Sequence, residues 1–356
     1  MAEPIRLLIV DDSPFMRRAI SSLVDGESDI KVVGTAKDGQ DAIRQIQDLK
    51  PDIATMDIEM PVMDGLTALK IIMEKFPIPI IMLSSLTEEG AKETLDALDF
   101  GAADYIPKNL SNVSLNILKI KDDLISKIRA ITAKKYFFKP RSNEQTAVVS
   151  KAAAFKENET AVKNNKIDIV AIGSSTGGPK ALQDVIPKFP QNFPVPIIIV
   201  QHMPKAFTGS FAERLSSISH IKVIEAAGGE IIKPGTAYLS PGDKHLSIVK
   251  EKKEGFVISL STEPEDLINR PSVSVMMESV AKGYPGKALG VILTGMGSDG
   301  LMGMKKIKET GGKTIAQDEA TCVVYGMPKA VVEAGVADMV LPIYKIGEEI
   351  IRETVY

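Results

Sequence analysis

Gly173-Ser174-Ser175-Thr176-Gly177-Gly178 follows directly on the apolar run over residues 167–172, and Pro179, Leu182, Val185 and Ile186 come after it at helical spacing. A continuous apolar run reads as a strand buried on both faces of a parallel sheet, and the spacing that follows reads as an amphipathic helix. The glycines between them allow a sharp strand-to-helix turn, and Pro179 suits the first turn of the helix. Gly173-x-Ser175-x-Gly177 fits G-x-S-x-G, the pattern that exposes a serine hydroxyl at the carboxyl end of a strand and leaves backbone N–H groups free beside it. This stretch makes the region α/β and marks Ser175 as a candidate nucleophile.

The same rhythm extends outward in both directions. After Ser175, strand-like runs lie at 196–200, 222–225, 289–293, 313–316 and 339–341. Runs at 245–249 and 255–260 flank Lys250-Glu251-Lys252-Lys253-Glu254 and predict a hairpin, a local antiparallel addition. Before it, runs at 5–10, 31–34, 53–56, 78–83 and 105–106 alternate with helical patterns such as Ala42, Ile43, Ile46 and Leu49. Five strands separated by helices predict a parallel sheet covered on both sides, a flavodoxin-like unit. The polar stretch 138–166 has no durable apolar period and reads as a linker. The expected division is a first unit at 1–125, a linker at 126–166 and a doubly wound, mostly parallel α/β unit at 167–356.

Composition agrees with two globular units. The chain has 356 residues, 44% hydrophobic and 25% charged, too long for one ordinary core. A formal net charge of −3 argues against a protein that coats nucleic acid. The one cysteine, Cys322, permits no intrachain disulfide and fits a reducing compartment. No apolar run approaches the length of a membrane span, and no signal-peptide pattern opens the chain, so a cytoplasmic protein without membrane insertion is expected.

In the first unit, strand ends carry Asp11-Asp12, Asp57, Ser84 and Lys108. Open parallel sheets gather ligands at those carboxyl ends. Three carboxylates brought together repel one another and call for a hard divalent cation such as Mg²⁺. Lys108 supplies a further positive charge for a phosphoryl group, and Ser84 can hydrogen-bond one of its oxygens. With Met56-Asp57-Ile58-Glu59-Met60-Pro61-Val62-Met63-Asp64-Gly65, this unit resembles the receiver domain of two-component response regulators. The resemblance implies that Asp57 accepts phosphate from a histidine kinase. It also implies that Asp11, Asp12, Asp57 and the Glu59 backbone carbonyl ligate Mg²⁺, and that Ser84, Tyr105 and Lys108 form the switch.

In the second unit, a serine hydroxyl needs a base to become a nucleophile. Of the three histidines, His202 follows a strand-like run, His220 lies beside a serine-rich loop and His245 begins the hairpin, so His202 is favoured. The run 289–293 leads into Thr294-Gly295-Met296-Gly297-Ser298-Asp299-Gly300, which offers Asp299 to orient the imidazole. The order Ser, His, Asp differs from that of the α/β-hydrolases. Backbone N–H groups of Met296 and Thr176 are candidates to hold an oxyanion. Gly295 to Gly300 also fits G-x-G-x-x-G with Asp318 downstream, but it ends a late strand rather than a first one. Gly173 to Lys180 approaches a P-loop, but Pro179 displaces its Gly-Lys ending. Gln201-His202-Met203-Pro204, Phe211-Ala212-Glu213-Arg214-Leu215, Leu239-Ser240-Pro241-Gly242 and the motifs at 172–178 and 293–300 resemble the chemotaxis protein-glutamate methylesterases. The resemblance implies hydrolysis of glutamate methyl esters, and deamidation of glutamines, on methyl-accepting chemoreceptors, with no cofactor for the hydrolysis. Ser174 stands where the family often has Ala; Ser175, which precedes Thr176-Gly177-Gly178, matches the family nucleophile.

Overall fold

The structure, a computed structural model, describes residues 3–108, 113–133, 167–251 and 255–355. The first unit alternates β1 (Ile5–Val10), α1 (Pro14–Val24), β2 (Ile30–Ala36), α2 (Gly39–Leu49), β3 (Ile53–Asp57), α3 (Gly65–Lys75), β4 (Ile80–Ser85), α4 (Glu88–Asp99), β5 (Asp104–Lys108) and α5 (Val113–Thr132). All strand pairs are parallel and the order is β2-β1-β3-β4-β5, the flavodoxin-like arrangement expected. Local chemistry sets the helix starts: Ser13, Asp38, Asp64 and Thr87 each accept a backbone N–H three residues on. Helix α5 runs past the boundary expected at 125, and residues 134–166 of the expected linker lie outside the described residues.

The second unit contains β6 (Ile169–Ser174), α6 (Gly178–Val185), β7 (Ile197–Gln201), α7 (Lys205–Ser217), β8 (Lys222–Glu225), β9 (Thr236–Leu239), β10 (His245–Glu251), β11 (Gly255–Ser261), α8 (Val273–Gly283), β12 (Ala288–Ile292), α9 (Leu301–Glu309), β13 (Lys313–Gln317), α10 (Met327–Glu333), β14 (Met339–Leu341) and α11 (Ile343–Val355). Seven parallel strands lie in the order β14-β13-β12-β6-β7-β9-β8, and β10 and β11 pair antiparallel as a separate ribbon. The hairpin is as expected, with part of its turn, 252–254, outside the described residues.

One strand escapes the sequence reading. Thr236–Leu239 has only four residues, yet it lies between β7 and β8 in the sheet. Its neighbours on both sides, rather than its own pattern, make it a strand. The chain leaves β6 to one side for β7 and later returns to the other side for β12, so β12, β6 and β7 are adjacent. Their carboxyl ends share one edge at a topological switch point, where open α/β sheets place their sites.

Among the described residues, no helix is long and apolar enough to cross a membrane.

Candidate active site and phosphoacceptor site

Strand β6 ends at Ser174, so Ser175 is the first residue of the turn. The structure separates the two serines. Ser174 is fully buried and donates its hydroxyl to Gln201 Oε1 at 2.7 Å. Ser175 is half-buried and lines a cleft of ≈ 650 Å³ with Thr176, His202 and Met296. The turn holds its shape through backbone bonds: Ser175 N–H donates to the Thr294 carbonyl (3.0 Å) and Gly178 N–H to the Ser175 carbonyl (2.7 Å). Gly177 has φ +75°, and a Cβ there would come within 2.5 Å of Val323. A Cβ on Gly295 would come within 2.8 Å of Ser175 Cβ, so only glycine lets the 294–300 loop approach Ser175.

His202 follows the end of β7, and its backbone N–H donates to the Ser174 carbonyl at 3.0 Å. Its Nε2 lies 2.9 Å from Asp299 Oδ2. Asp299 is cradled. Its Oδ2 also accepts the Val273 N–H (2.7 Å), and its Oδ1 accepts Ser272 Oγ (3.0 Å), Ser274 N–H (3.0 Å) and Gly300 N–H (2.8 Å). Two of those donors open α8, whose N-terminus favours a negative charge. Burial works against ionisation, but the His202 contact and the N–H groups of Ser274 and Val273 outweigh it and hold the Asp299 carboxyl well below the usual range. An ionised carboxylate only accepts hydrogen bonds, so His202 Nε2 carries the proton and Nδ1 is left bare as a base. No hydrogen bond joins Ser175 Oγ to the His202 ring; such contacts often tighten only when substrate binds. The Thr176 and Met296 N–H groups have no acceptor among the described residues.

Two supports were given no role by the sequence, although Gln201 lies in a motif that carries the family resemblance. Gln201, buried, donates from Nε2 to the carbonyls of both Ser175 (3.0 Å) and His202 (2.9 Å) and so ties the two residues together. The segment 272–274 supplies half of the Asp299 cradle; its readable trace is Ser272, the N-cap of α8. His220 is exposed and takes no part, and His245 is buried outside the cleft. Asp318, the acid of the dinucleotide pattern, accepts from Thr321 N–H (2.9 Å) and Oγ1 (2.5 Å).

In the first unit, carboxylate oxygens of Asp11, Asp12 and Asp57 lie within 4.8 Å of one another. Lys108 Nζ reaches Asp57 Oδ2 at 2.5 Å and Asp11 Oδ2 at 3.1 Å. Burial raises the Asp57 pKa, with the Asp11 charge adding to it against the Lys108 hydrogen bond. An all-oxygen, acidic donor set, in which the buried Asp11 Oδ2 is paired with the Lys108 ammonium and makes no hydrogen bond to another residue, fits a hard divalent cation. Glu59 and Asp12 line one cavity beside this cluster. Ser84 Oγ is turned to α4, accepting from Thr94 Oγ1 (2.5 Å) and donating to the Gly90 carbonyl (3.1 Å).

The two units meet at the cleft. Asp104, Tyr105, Pro107, Asp123 and Lys127 of the first unit form the wall facing Ser175 and His202. The Tyr105 ring stacks on Phe207 of α7 with centroids 5.0 Å apart. Arg214 of α7 pairs with Asp96 of α4 at 2.7 Å and also with Asp99.

Fold and site together define a receiver unit joined to an α/β unit with a serine-centred cleft. A family model described as CheB methylesterase matches residues 170–350, and one described as response regulator receiver domain matches 7–118. The protein-glutamate methylesterase/protein-glutamine glutaminase 2 of Nitratidesulfovibrio vulgaris is 48% identical over 354 residues, covering 95% of this chain and 96% of that protein. The protein-glutamate methylesterase/protein-glutamine glutaminase of Thermotoga maritima is 47% identical over 353 residues, covering 98% of each. The crystal structure of the Thermotoga maritima CheB methylesterase catalytic domain superposes with a TM-score of 0.51 at 49% identity, covering 52% of this chain and 98% of that one. The chain belongs to the CheB methylesterase family, with a response regulator receiver domain at its front.

Proposed function

We infer that this protein hydrolyses glutamate methyl esters, and deamidates glutamines, on methyl-accepting chemoreceptors in the cytoplasm, under control of phosphorylation at Asp57. The observation that carries the hydrolytic reading is one cleft holding Ser175, His202 and two unengaged backbone N–H groups, with His202 bound to an ionised Asp299. His202 Nδ1 takes the Ser175 proton as Oγ attacks the γ-carbonyl. The oxyanion is held by the N–H groups of Thr176 and Met296. His202 returns the proton to the departing methoxide, and methanol leaves an acyl-enzyme. Water, deprotonated by the same nitrogen, then releases the glutamate carboxylate and restores Ser175. Glutamine follows the same path with ammonia as the leaving group.

The control rests on the contact between units. A receiver wall over Ser175 excludes a helical receptor segment from the cleft. A histidine kinase supplies the phosphoryl group to Asp57; Asp11, Asp12, Asp57 and the Glu59 carbonyl would hold Mg²⁺, which would supply positive charge against the phosphoryl group. Lys108 pairs with the phosphoryl oxygens, and Ser84 turns from α4 toward them. Tyr105, which stacks on Phe207, links that change to the interface and shifts the population toward an open cleft.

The test is methanol release from methylated chemoreceptor membranes by wild type and Ser175→Ala, each with and without a small-molecule phosphodonor and Mg²⁺. Release that needs Ser175 and rises with phosphodonor is expected. Release by Ser175→Ala at the wild-type rate refutes the hydrolytic reading; release indifferent to phosphodonor refutes the control.

A further inference from the structure

We propose that His245, which does not touch the cleft, is a positioning residue that holds Asp299, and through it His202, by anchoring the N-terminus of α8. The inference rests on the reading of Ser175, His202 and Asp299 as the hydrolytic set. His245 is the first residue of β10 and is 1% exposed. Its Nδ1 accepts the Ser272 N–H at 3.1 Å. That leaves the ring proton on Nε2, which donates to the Pro264 carbonyl at 3.2 Å. Ser272 then turns its hydroxyl to Asp299 Oδ1 at 3.0 Å, while the next two residues, Val273 and Ser274, give their N–H groups to the same carboxylate. Asp299 Oδ2 meets His202 Nε2 at 2.9 Å. One residue, Ser272, therefore bridges the two histidines' networks: its N–H ends on one ring and its hydroxyl on the partner of the other.

The arrangement requires a neutral His245. Ser272 N–H needs an acceptor, and an imidazolium offers only donors. Burial keeps the ring neutral to lower pH than an exposed histidine, outweighing the hydrogen bond to the Pro264 carbonyl; the charge of Arg270 acts in the same sense as burial, while that of Asp299 opposes it. Protonation sets two N–H groups against each other, moves the start of α8 and loosens three of the donors that hold Asp299. Misplacement of that order at a distance from the reacting atoms lowers turnover by on the order of 10²-fold.

The experiment compares His245→Leu, which fills the space without an acceptor, with His245→Asn, whose Oδ1 replaces Nδ1 and does not titrate. The full chain is assayed with phosphodonor and Mg²⁺ on methylated receptor membranes. In parallel, the deshielded proton between His202 Nε2 and Asp299 is followed by NMR, and thermal unfolding is recorded. His245→Leu is expected to lower kcat by roughly 10²-fold with KM unmoved and to shift the His202 resonance. His245→Asn is expected to recover both. At the acid end, the wild-type profile steepens as a second proton binds, and His245→Asn loses only that second proton. Wild-type kcat and resonance in a folded His245→Leu overturn the proposal, as does an acid limb in His245→Asn that matches wild type. If His245→Leu does not fold, the His245→Asn profile and resonance decide the matter. Full hydrolysis by Ser175→Ala or His202→Ala refutes the hydrolytic reading instead, and the resonance comparison still decides whether His245 positions Asp299.

Discussion

Replacing Asp299 by Asn tests the site more sharply than removing it. The carboxylate accepts two donors at Oδ2, His202 Nε2 and Val273 N–H, and three at Oδ1, Ser272 Oγ, Ser274 N–H and Gly300 N–H. An amide must put its NH₂ at one of these places. At Oδ1 it faces two fixed N–H groups and a hydroxyl; at Oδ2 it faces one fixed N–H and a ring that can change tautomer. The second arrangement costs less, so the network itself turns the amide toward His202. The NH₂ then donates to Nε2, the ring proton moves to Nδ1, and the nitrogen that takes the Ser175 proton is blocked. Loss of the correct tautomer in a serine triad costs about 10⁴ in kcat, or about 5.5 kcal/mol in the barrier. The fold loses roughly 1–3 kcal/mol through the unsatisfied Val273 N–H and the weaker, uncharged acceptor. Because the Asp299 pKa is depressed in the folded state, its stabilisation is fully present above the unfolded value of about 4 and is lost as pH falls through the folded one. The stability gap between wild type and Asp299→Asn therefore narrows as pH drops below about 4. Methanol release with phosphodonor gives the rate, and denaturant unfolding across pH gives the gap. A folded Asp299→Asn within tenfold of wild-type kcat would refute the reasoning.

Three further outcomes follow from the geometry. Arg214→Ala removes the pairs with Asp96 and Asp99, worth about 1 kcal/mol at this partial exposure, so hydrolysis without phosphodonor rises roughly fivefold; no rise in the unphosphorylated rate contradicts the closed-cleft account. Val62 holds φ 70° while 81% exposed, a left-handed conformation that a β-branched residue adopts at a cost. Val62→Asn is expected to stabilise the receiver by about 1 kcal/mol, read from the unfolding midpoint. Gly177→Ala combines φ +75° with a Cβ 2.5 Å from Val323, and should destabilise the fold by roughly 1–3 kcal/mol and lower hydrolysis in the same assay; unchanged stability and rate would show that the turn tolerates a side chain.

Local pattern alone marks the residues proposed to act. Continuous apolar runs ending in Asp11-Asp12, Asp57, Ser175, His202 and the 294–300 loop mark buried strands with polar carboxyl ends. Parallel sheets bring such ends to one edge whatever the intervening chain does. That rule needs no knowledge of contacts, so Ser175, His202 and Asp299 could be singled out as candidates before any fold was seen. Tertiary structure alone decided the rest. The G-x-S-x-G spacing singles out Ser175 but does not say what its neighbour does; the fold buries Ser174 against Gln201. Thr236–Leu239 is a strand because β7 and β8 flank it. Asp299 is held ionised by His202, 97 positions earlier, and by residues 25 to 27 positions earlier; His245 reaches Ser272 across 27, and Arg214 reaches α4 across more than a hundred. Periodicity and capping report on neighbours along the chain. Hydrogen bonds between distant segments leave no such trace, because each partner's local pattern is satisfied equally well without the other.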